Sequence, residues 1–351
     1  MFPKFVLKGA PHEIGYAHGS LAKKQIEKCI EVYEKLFWSY SKITWKEAAA
    51  KSEQYIPYIQ KYDPHIWEEI QGIADGSGRS LLDIVALNAR SEIMLTAKAL
   101  DGCTSFGVLA GAAGGKSYMG QNWDWKEEVT EAVIALEIYQ DNKPAIKMIT
   151  EAGIVGKFGI NDAGVGLCMN ALACEENIPG VPLHVVMRGI LNSPNLSSAI
   201  SAVINTQIAS SVNFVIGHKD GEVIDMEVTP SEFDVLYPEQ GIMVHTNHFL
   251  SPLLRPRVKD ITKHLLPDTL VRYSRAKHIL SSMDDSINLI DLQTLLADHF
   301  NHPHGVCRHH QYDPLDRQLV TVFSIIIDLT YQEIWVSAGK PCEAPYNKLF
   351  V

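Results

Sequence analysis

The fold is decided at Asp101-Gly102-Cys103-Thr104-Ser105, where the character of the chain changes. Before this stretch, apolar residues recur three and four positions apart, for example over 18–40, and this spacing is typical of helices. A further helical run covers 81–95 and follows Ser80, which has the side chain of a helix cap. The sequence therefore predicts a helical segment over roughly the first hundred residues.

After the junction, short runs rich in β-branched and aromatic residues are separated by glycine turns, which is typical of strands. Val212–His218 and Val223–Val228 flank Lys219-Asp220-Gly221, a hairpin turn, and a similar hairpin closes the chain. Helical patterns return over 183–208 and about 269–300. Strands that come in hairpins are antiparallel neighbours, so we expect largely antiparallel sheets with helices packed outside them.

The bulk composition excludes several function classes. The 351 residues carry a net charge of −10 and no dense basic tract, which argues against a nucleic-acid partner. No secretory signal core and no apolar run of about 18 residues is present, so we expect neither export nor a membrane span. The six cysteines form no CxxC pair, which favours free thiols and a cytoplasmic location.

The Gly102–Cys103 bond has the residues needed for self-cleavage. A cysteine thiol can attack the carbonyl that precedes it if the peptide bends, and glycine tolerates unusual dihedrals. Hydrolysis of the resulting thioester would leave Cys103 with a free α-amine of pKa about 7.7–8.0, able to accept the thiol proton. The alternative is a buried strand cysteine after a turn, and the tetrapeptide Asp-Gly-Cys-Thr alone favours that alternative.

Further motifs, which occur in a specific order and spacing along the chain, favour self-cleavage over a buried strand cysteine. The chain resembles the acyl-coenzyme A:6-aminopenicillanic acid acyltransferase (isopenicillin N acyltransferase) family of N-terminal nucleophile hydrolases, over essentially its whole length. The resemblance is carried by His12-Glu13-Ile14-Gly15-Tyr16-Ala17-His18-Gly19, Asp101-Gly102-Cys103-Thr104, Gly120-Gln121-Asn122-Trp123-Asp124, Thr150-Glu151-Ala152-Gly153-Ile154, Val244-His245-Thr246-Asn247-His248 and Val306-Cys307-Arg308.

The resemblance implies an α+β fold, an αββα sandwich of two largely antiparallel sheets flanked by helices, with a helical N-terminal segment. It implies a cut between Gly102 and Cys103, giving chains 1–102 and 103–351 that stay associated. It also transfers catalytic roles onto Cys103, Asp124, Asn247 and Arg308. The peroxisomal tail of the fungal enzyme is absent here, and the region around Arg308 is unusually rich in histidine.

Acyl-transfer chemistry suggests a role for each partner. The side-chain amide of Asn247 can donate to the oxyanion, and one such donor contributes about 10²–10³ in rate. Asp124 would orient the α-amine of Cys103 or hold Arg308, and a purely structural ion pair is the alternative. Arg308 would bind a substrate carboxylate, or else form an ordinary salt bridge. His245 and His248 are expected to be structural, and Glu151 is expected to shape the floor of the pocket without being catalytic.

The expected reaction starts from a small amide or an acyl-CoA thioester. Cys103 would take the acyl group and pass it to an amine resembling 6-aminopenicillanic acid, or to water. A pure hydrolase of N-acyl amino acid amides is the alternative, since both reactions share the acyl-cysteine. No cofactor is required, and acyl-CoA enters only as a co-substrate of the transferase. The partners expected are the small substrate and the cleaved N-terminal fragment, and a higher oligomer stays open.

Two alternatives belong to other classes, a nucleotide-binding or a metal-binding protein without amide chemistry. Gly115-Lys116-Ser117 resembles the end of a P-loop, but Ala110 occupies the place of its first glycine and a strand follows instead of a helix. A tract of metal-binding residue types spans thirteen residues, but its spacing matches no standard ligand set, so no metal is expected. This tract contains Asp298, His299, His302, His304, Cys307, His309 and His310.

Overall fold

The computed structural model describes residues 1–94, 101–176, 178–283, 286–310, 313 and 318–350. Leu95, the last residue of the helical run predicted from Leu81, lies outside the described residues. Among the described residues, no helix is both long enough and apolar enough to cross a lipid bilayer.

Helices dominate the N-terminal part, as the apolar spacing predicts. After β1 (Lys4–Gly9) come α1 (Pro11–Leu21), α2 (Lys23–Ser41), α3 (Trp45–Ser52), α4 (Ile56–Tyr62), α5 (Pro64–Ser77), α6 (Leu81–Asn88) and α7 (Arg90–Met94). Ser80 caps α6 as predicted, since its hydroxyl accepts a hydrogen bond from the Asp83 N–H. The run over 18–40 is two helices that meet at Ala22. Neither glycine nor proline marks that junction, so the apolar spacing does not reveal it.

The motif at residues 12–19 has a packing reason. Helices α1 and α5 cross with glycines on both contact faces, Gly15 and Gly19 on one and Gly72 and Gly76 on the other. A Cβ on Gly15 would lie 2.0 Å from the Glu69 carbonyl oxygen, and one on Gly72 would lie 2.2 Å from that of His12. These distances are far shorter than van der Waals contact, so the two helix backbones can touch only because glycine has no side chain.

The remaining elements follow in chain order. The strands are β2 (Gly102–Val108), β3 (Tyr118–Trp125), β4 (Val133–Gln140), β5 (Ile146–Glu151), β6 (Phe158–Asn161), β7 (Val165–Ala171), β8 (Val212–His218), β9 (Val223–Val228), β10 (Phe233–Leu236), β11 (Ile242–His245), β12 (Val320–Asp328), β13 (Glu333–Ser337) and β14 (Tyr346–Lys348). The helices are α8 (Leu183–Leu191), α9 (Leu196–Ile204), α10 (Thr262–Leu265), α11 (Asp268–Ser281) and α12 (Leu289–Leu296), and short 3₁₀ turns cover Glu53–Tyr55 and Glu127–Ala132.

The strands form two sheets. An eight-stranded sheet has the order β1-β4-β5-β6-β7-β8-β9-β10, and a six-stranded sheet has the order β11-β2-β3-β12-β13-β14. The pairs are antiparallel, as predicted, except that β1 lies parallel to β4. The helical segment and strands β2 and β3 of the other sheet lie between β1 and β4, and this long connection, in place of a hairpin, allows the parallel pairing.

The two sheets face each other and are covered by helices, which confirms the αββα sandwich. Strands β2 and β3 contact β7 and β8 across the interior. Helices α8 and α9 pack on the outer face of the eight-stranded sheet, and α11 and α12 pack on that of the six-stranded sheet. One buried apolar cluster joins Leu7 and Ile26 to Cys103, Trp123 and Phe323. Residues before and after the junction therefore share a core.

Candidate active site

Cys103 lies near the start of β2, in the interior of the six-stranded sheet. Strand β2 is flanked by β3 and β11, and the register places Gly102 opposite Asp124 and Cys103 opposite Trp123. The Cys103 side chain has no exposed surface in the uncut chain. Strand pairing therefore fixes the Gly102–Cys103 peptide bond beside the Asp124 carboxylate.

Asn247 contacts Cys103 directly. It follows β11, the neighbour of β2, and its Oδ1 accepts a hydrogen bond of 2.9 Å from the Cys103 N–H. The Asn247 N–H donates to Thr269 Oγ1 at 2.8 Å, and its Nδ2 donates to the Ala171 carbonyl at 3.1 Å. The residue is thus held at three points, with its side-chain oxygen on the nitrogen that cleavage would release.

Arg272, which the sequence analysis did not identify, is the centre of the site. Its Nη1 donates to the Cys103 carbonyl oxygen at 2.5 Å and to Thr104 Oγ1 at 3.0 Å, while Nη2 donates to Asn247 Oδ1 at 2.9 Å. A guanidinium only donates, so this contact fixes the amide of Asn247 with its oxygen toward Arg272 and its NH₂ pointing away. The Asp268–Arg272 spacing of four residues on a helix is the one sequence feature that hints at this pair.

Arg308 joins the same network through Asp268. The Asp268 carboxylate accepts from Arg272 Nε at 2.8 Å and from Arg308 Nη1 at 2.6 Å. The two arginines hold the pKa of Asp268 far below its usual range despite burial, and Asp268 and Asp124 raise the pKa of Arg308 despite burial. Of the two roles weighed for Arg308, this is the ion pair, with an internal aspartate in place of a substrate carboxylate.

Asp124 is buried beside the junction and only half satisfied. Its Oδ1 accepts a hydrogen bond of 2.7 Å from Thr321 Oγ1, and Thr321 in turn accepts one of 2.9 Å from the Arg308 N–H. Its Oδ2 has no hydrogen-bond partner within the described part of the chain. Burial raises the pKa of Asp124, although Arg272 and Arg308 oppose the shift. A carboxylate oxygen with a raised pKa and a free lone pair is suited to accept a proton.

Gly102 is needed for space. A Cβ at this position would lie 3.0 Å from Asp124 Oδ2 and 3.1 Å from the Asp124 Cβ. The sequence suggests that glycine is needed for its dihedral freedom, but the φ of Gly102 lies outside the left-handed region in the uncut chain. The observed reason is that a side chain would press against the Asp124 carboxylate.

The surroundings of the Cys103 thiol in the uncut chain favour its protonated form. Burial raises its pKa well above the usual value, and the nearby carboxylates of Asp101 and Asp124 raise it further. Arg272 and Lys157 oppose this shift without reversing it. The thiol therefore needs a proton acceptor at neutral pH before it can act as a nucleophile.

Of the three residues expected not to be catalytic, His245 and Glu151 pair with other groups, whereas His248 shares Thr269 Oγ1 with the Asn247 N–H. His245 Nε2 contacts Glu227 at 2.8 Å, and His248 Nδ1 contacts Thr269 Oγ1 at 3.0 Å. Glu151 is fully buried, with Arg90 at 3.0 Å and Lys157 at 2.5 Å. The Lys157 ammonium lies 3.5 Å from the centre of the Trp123 ring.

The nucleotide-binding and metal-binding alternatives differ in how well the structure fits them. Residues 115–117 lie between β2 and β3 and a strand follows them, so the P-loop alternative lacks its helix. In the histidine-rich tract, Asp298 pairs with Arg275, His304 with Asp313 and His310 with Glu127. His299, Cys307 and His309 instead lie close together, and their side chains meet that of Cys342.

Comparisons with known proteins agree with the sequence motifs. The sequence profile of the acyl-coenzyme A:6-aminopenicillanic acid acyl-transferase family matches residues 112–343. A protein of Emericella nidulans, described as the 40 kDa form of acyl-coenzyme A:6-aminopenicillanic-acid-acyltransferase, is 34% identical over 337 residues. That match covers 95% of this chain and 92% of the relative.

Two more distant similarities were found. An uncharacterized protein of Archaeoglobus fulgidus is 22% identical over 394 residues, covering 95% of this chain and 63% of its own length. Among solved structures, a conjugated bile acid hydrolase mutant from Clostridium perfringens aligns with a TM-score of 0.48 and 13% identity, covering 70% of this chain and 97% of that chain.

Proposed function

Because this chain belongs to the acyl-coenzyme A:6-aminopenicillanic acid acyl-transferase family, it is an enzyme of that acyl-transfer class, and we propose that Cys103 is its nucleophile. We further propose that the chain cuts itself before Cys103. The observation that carries the proposal is the hydrogen bond from the Cys103 N–H to Asn247 Oδ1, with Arg272 on the Cys103 carbonyl. Together these contacts hold the nucleophile's backbone on both sides of its Cα.

In the self-cleavage step, Cys103 Sγ attacks the carbonyl carbon of Gly102. The carbon–nitrogen bond between Gly102 and Cys103 breaks, and the nitrogen gains the proton that leaves the thiol. Asp124 Oδ2, close to the junction and without a hydrogen-bond partner in the described chain, is placed to relay that proton. Water then hydrolyses the Gly102 thioester, which frees the Gly102 carboxylate and the Cys103 thiol beside the α-amine that the shift has already released.

In the acyl-transfer step, the new α-amine acts as the base. It remains next to Asn247 Oδ1 and takes the thiol proton as Cys103 attacks the substrate carbonyl, because its own pKa is about 7.7–8.0. The Asn247 NH₂ has two hydrogens, and one is engaged by the Ala171 carbonyl. The second is available to donate to the developing oxyanion.

The substrate proposed is a small amide or an acyl-CoA thioester, with 6-aminopenicillanic acid-like amines or water as the acceptor. The Emericella nidulans relative carries both the thioester and the amine in its name. Attack by an amine releases an amide, and attack by water releases a free acid. The acyl-cysteine is common to both, so the ratio of the two products distinguishes transferase from hydrolase.

A product assay on the processed protein tests the proposal. Processed enzyme is incubated with an acyl-CoA thioester and 6-aminopenicillanic acid, and separately with N-acyl amino acids. We expect turnover that stops when iodoacetamide alkylates the N-terminal Cys103, located by peptide mapping. Correctly processed protein that turns over neither substrate class, or that stays active with Cys103 fully alkylated, refutes the proposal.

A further inference from the structure

Four side chains that the acyl-transfer chemistry does not use converge at the end of the six-stranded sheet. They are His299, Cys307, His309 and Cys342, and their ligand atoms all lie within 4.8 Å of one another. His299 Nε2 and His309 Nε2 are 3.1 Å apart, and the sulfurs of Cys307 and Cys342 are 3.5 Å apart. His309 Nε2 lies 3.7 Å from the Cys307 sulfur and 3.4 Å from the Cys342 sulfur. We call this group the His₂Cys₂ cluster.

These distances match the edges of a zinc tetrahedron. Zinc–sulfur bonds of about 2.3 Å and zinc–nitrogen bonds of about 2.0–2.1 Å place the ligands about 3.3 Å apart for two nitrogens, about 3.6 Å for nitrogen and sulfur and about 3.8 Å for two sulfurs. Four of the six separations agree with these edges to about 0.3 Å, and the two between His299 and the sulfurs lie within 4.8 Å. A disulfide is not present, because both cysteines are free thiols.

The donor chemistry also fits zinc. Two sulfurs and two imidazole nitrogens form one of the standard structural zinc sets. Thiols donate only weakly, and a neutral imidazole has one donor nitrogen, so the four lone pairs that meet here have few hydrogens to share. A cation at their centre would satisfy all four at once. Cys307 is buried while His299 and Cys342 are exposed, so an ion can reach the site from solvent.

The fold builds this cluster from two separate segments. The Cys307 N–H donates to the Asp298 carbonyl at 3.0 Å and the His309 N–H donates to the Pro303 carbonyl at 2.8 Å, which folds the 298–309 loop back on itself. Cys342 comes from the turn between β13 and β14. Glu343, next to it, places Oε1 3.8 Å from His309 Nδ1, which is an ion-pair distance longer than a hydrogen bond.

The cluster stands directly behind the active-site arginine. Arg308 lies between Cys307 and His309 in the chain. The side chains of Cys307 and His309 belong to the cluster, whereas that of Arg308 pairs with Asp268 and so joins the Cys103 network. An ion that ties Cys307 and His309 to Cys342 would therefore fix the backbone from which Arg308 extends.

We propose that His299, Cys307, His309 and Cys342 bind one structural Zn²⁺ ion that holds the Arg308 segment against the β13–β14 turn. All four positions of the tetrahedron are filled by protein, so no position is left for water or substrate, and the ion does not take part in the acyl transfer. The proposal does not depend on self-cleavage or on the nature of the substrate.

Metal analysis of the full-length protein, purified in reductant without added chelator, tests this proposal. We expect about one zinc per chain, retained through dialysis, and a strong loss of zinc in Cys342→Ser and in His299→Ala. Outer partners of metal ligands cost about 10–100-fold in affinity, so removal of a ligand should cost more. Cobalt substitution should give the visible absorption of a tetrahedral ion bound by thiolates.

Two controls separate the cluster from its surroundings. His302→Ala removes the exposed imidazole whose ring centre lies 5.1 Å from that of His309, and Cys174→Ser removes a half-buried thiol elsewhere. Both should retain zinc. The proposal is overturned if reduced protein neither contains zinc nor binds added Zn²⁺, if iron takes its place, if the native protein carries a Cys307–Cys342 disulfide, or if His302→Ala loses zinc while Cys342→Ser keeps it.

Discussion

Asp268→Asn would leave two buried guanidinium groups without their shared counter-charge. The side chains of Arg272 and Arg308 are 0% and 3% exposed, and both donate to Asp268. Asparagine has nearly the same shape as aspartate, so the packing is preserved while the charge is lost. The amide also presents its own hydrogens to a group that only donates. Asp124, the other carboxylate of the network, cannot balance two cations.

The size of the effect follows from the burial. Removing one partner of a buried ion pair costs about 3–5 kcal/mol, because the remaining charge stays uncompensated. For a chain of 351 residues, the unfolding entropy near 60 °C converts this loss into a Tm decrease of about 4–7 °C. Self-cleavage should slow as well, because Arg272 loses the carboxylate that aims it at the Cys103 carbonyl.

Thermal unfolding of the uncut protein is the appropriate assay. The Cys103→Ala background keeps every molecule as one chain, so Asp268→Asn can be compared with its parent without differences in processing. Glu232→Gln is the matched control, since Glu232 pairs with Arg257 at 3.1 Å on the surface and such pairs contribute at most about 1 kcal/mol. A Tm of Asp268→Asn no lower than that of Glu232→Gln would refute the assigned network.

The pH dependence of this difference has a definite sign. The folded-state pKa of Asp268 lies below its unfolded value of about 3.9, so its contribution is present above that pH and is lost as the pH falls through the folded pKa. The Tm difference between Asp268→Asn and its parent should therefore stay constant from pH 8 to about 5 and shrink only below about pH 4. A difference that already shrinks near neutral pH would assign the effect to another group.

Three further predictions concern other parts of the molecule. In a denaturant titration, Gly19→Ala should lower the free energy of unfolding by about 1–3 kcal/mol or more, because its Cβ would lie 2.3 Å from the Ile73 carbonyl oxygen. The control Gly111→Ala should be nearly neutral, because its Cβ would meet nothing within 4 Å. In protein confirmed as processed, Asn247→Ala should lower the rate of acyl transfer by about 10²–10³, because it removes the proposed oxyanion donor, while Asn213→Ala, which removes another buried asparagine, should leave that rate near the wild-type value. Equal rates for the two variants would contradict the role of Asn247. Burial and Glu227 raise the pKa of Asp225 to about 7, so the folded state binds a proton that the unfolded state releases, and Asp225 weakens the fold as the pH rises from about 4 to 7. Asp225→Asn should therefore raise Tm more at pH 8 than at pH 4.5, and an equal change at both pH values would contradict the raised pKa.

The parts of the site that the sequence predicted are linked by local strand pairing. The hairpin from β2 to β3 places Asp124 opposite Gly102, and the same strand pattern that marks the hairpin carries both residues. Asn247 follows two residues after the end of β11, the other neighbour of β2. Motifs that occupy adjacent strands in register are brought together by the ladder itself, so their proximity could be anticipated without coordinates.

The parts that the sequence did not predict depend on distant packing. Arg272 lies on α11, and only the placement of that helix over β2 and β11 brings its guanidinium to Cys103. Cys342 follows β13, so it reaches the histidine-rich tract only after β12 and β13 have paired. The tract contains only three of the four ligands, and their spacing matches no standard zinc site. The fourth ligand, Cys342, comes from the turn between β13 and β14.

Intact-mass spectrometry of the purified protein tests most directly whether Cys103 becomes an N-terminal nucleophile. The account predicts two masses, corresponding to residues 1–102 and 103–351, with cysteine as the first residue of the second fragment, and a single uncut mass for Cys103→Ala. A wild-type protein that stays whole after prolonged incubation, or a Cys103→Ala variant that is still cut between residues 102 and 103, would contradict it.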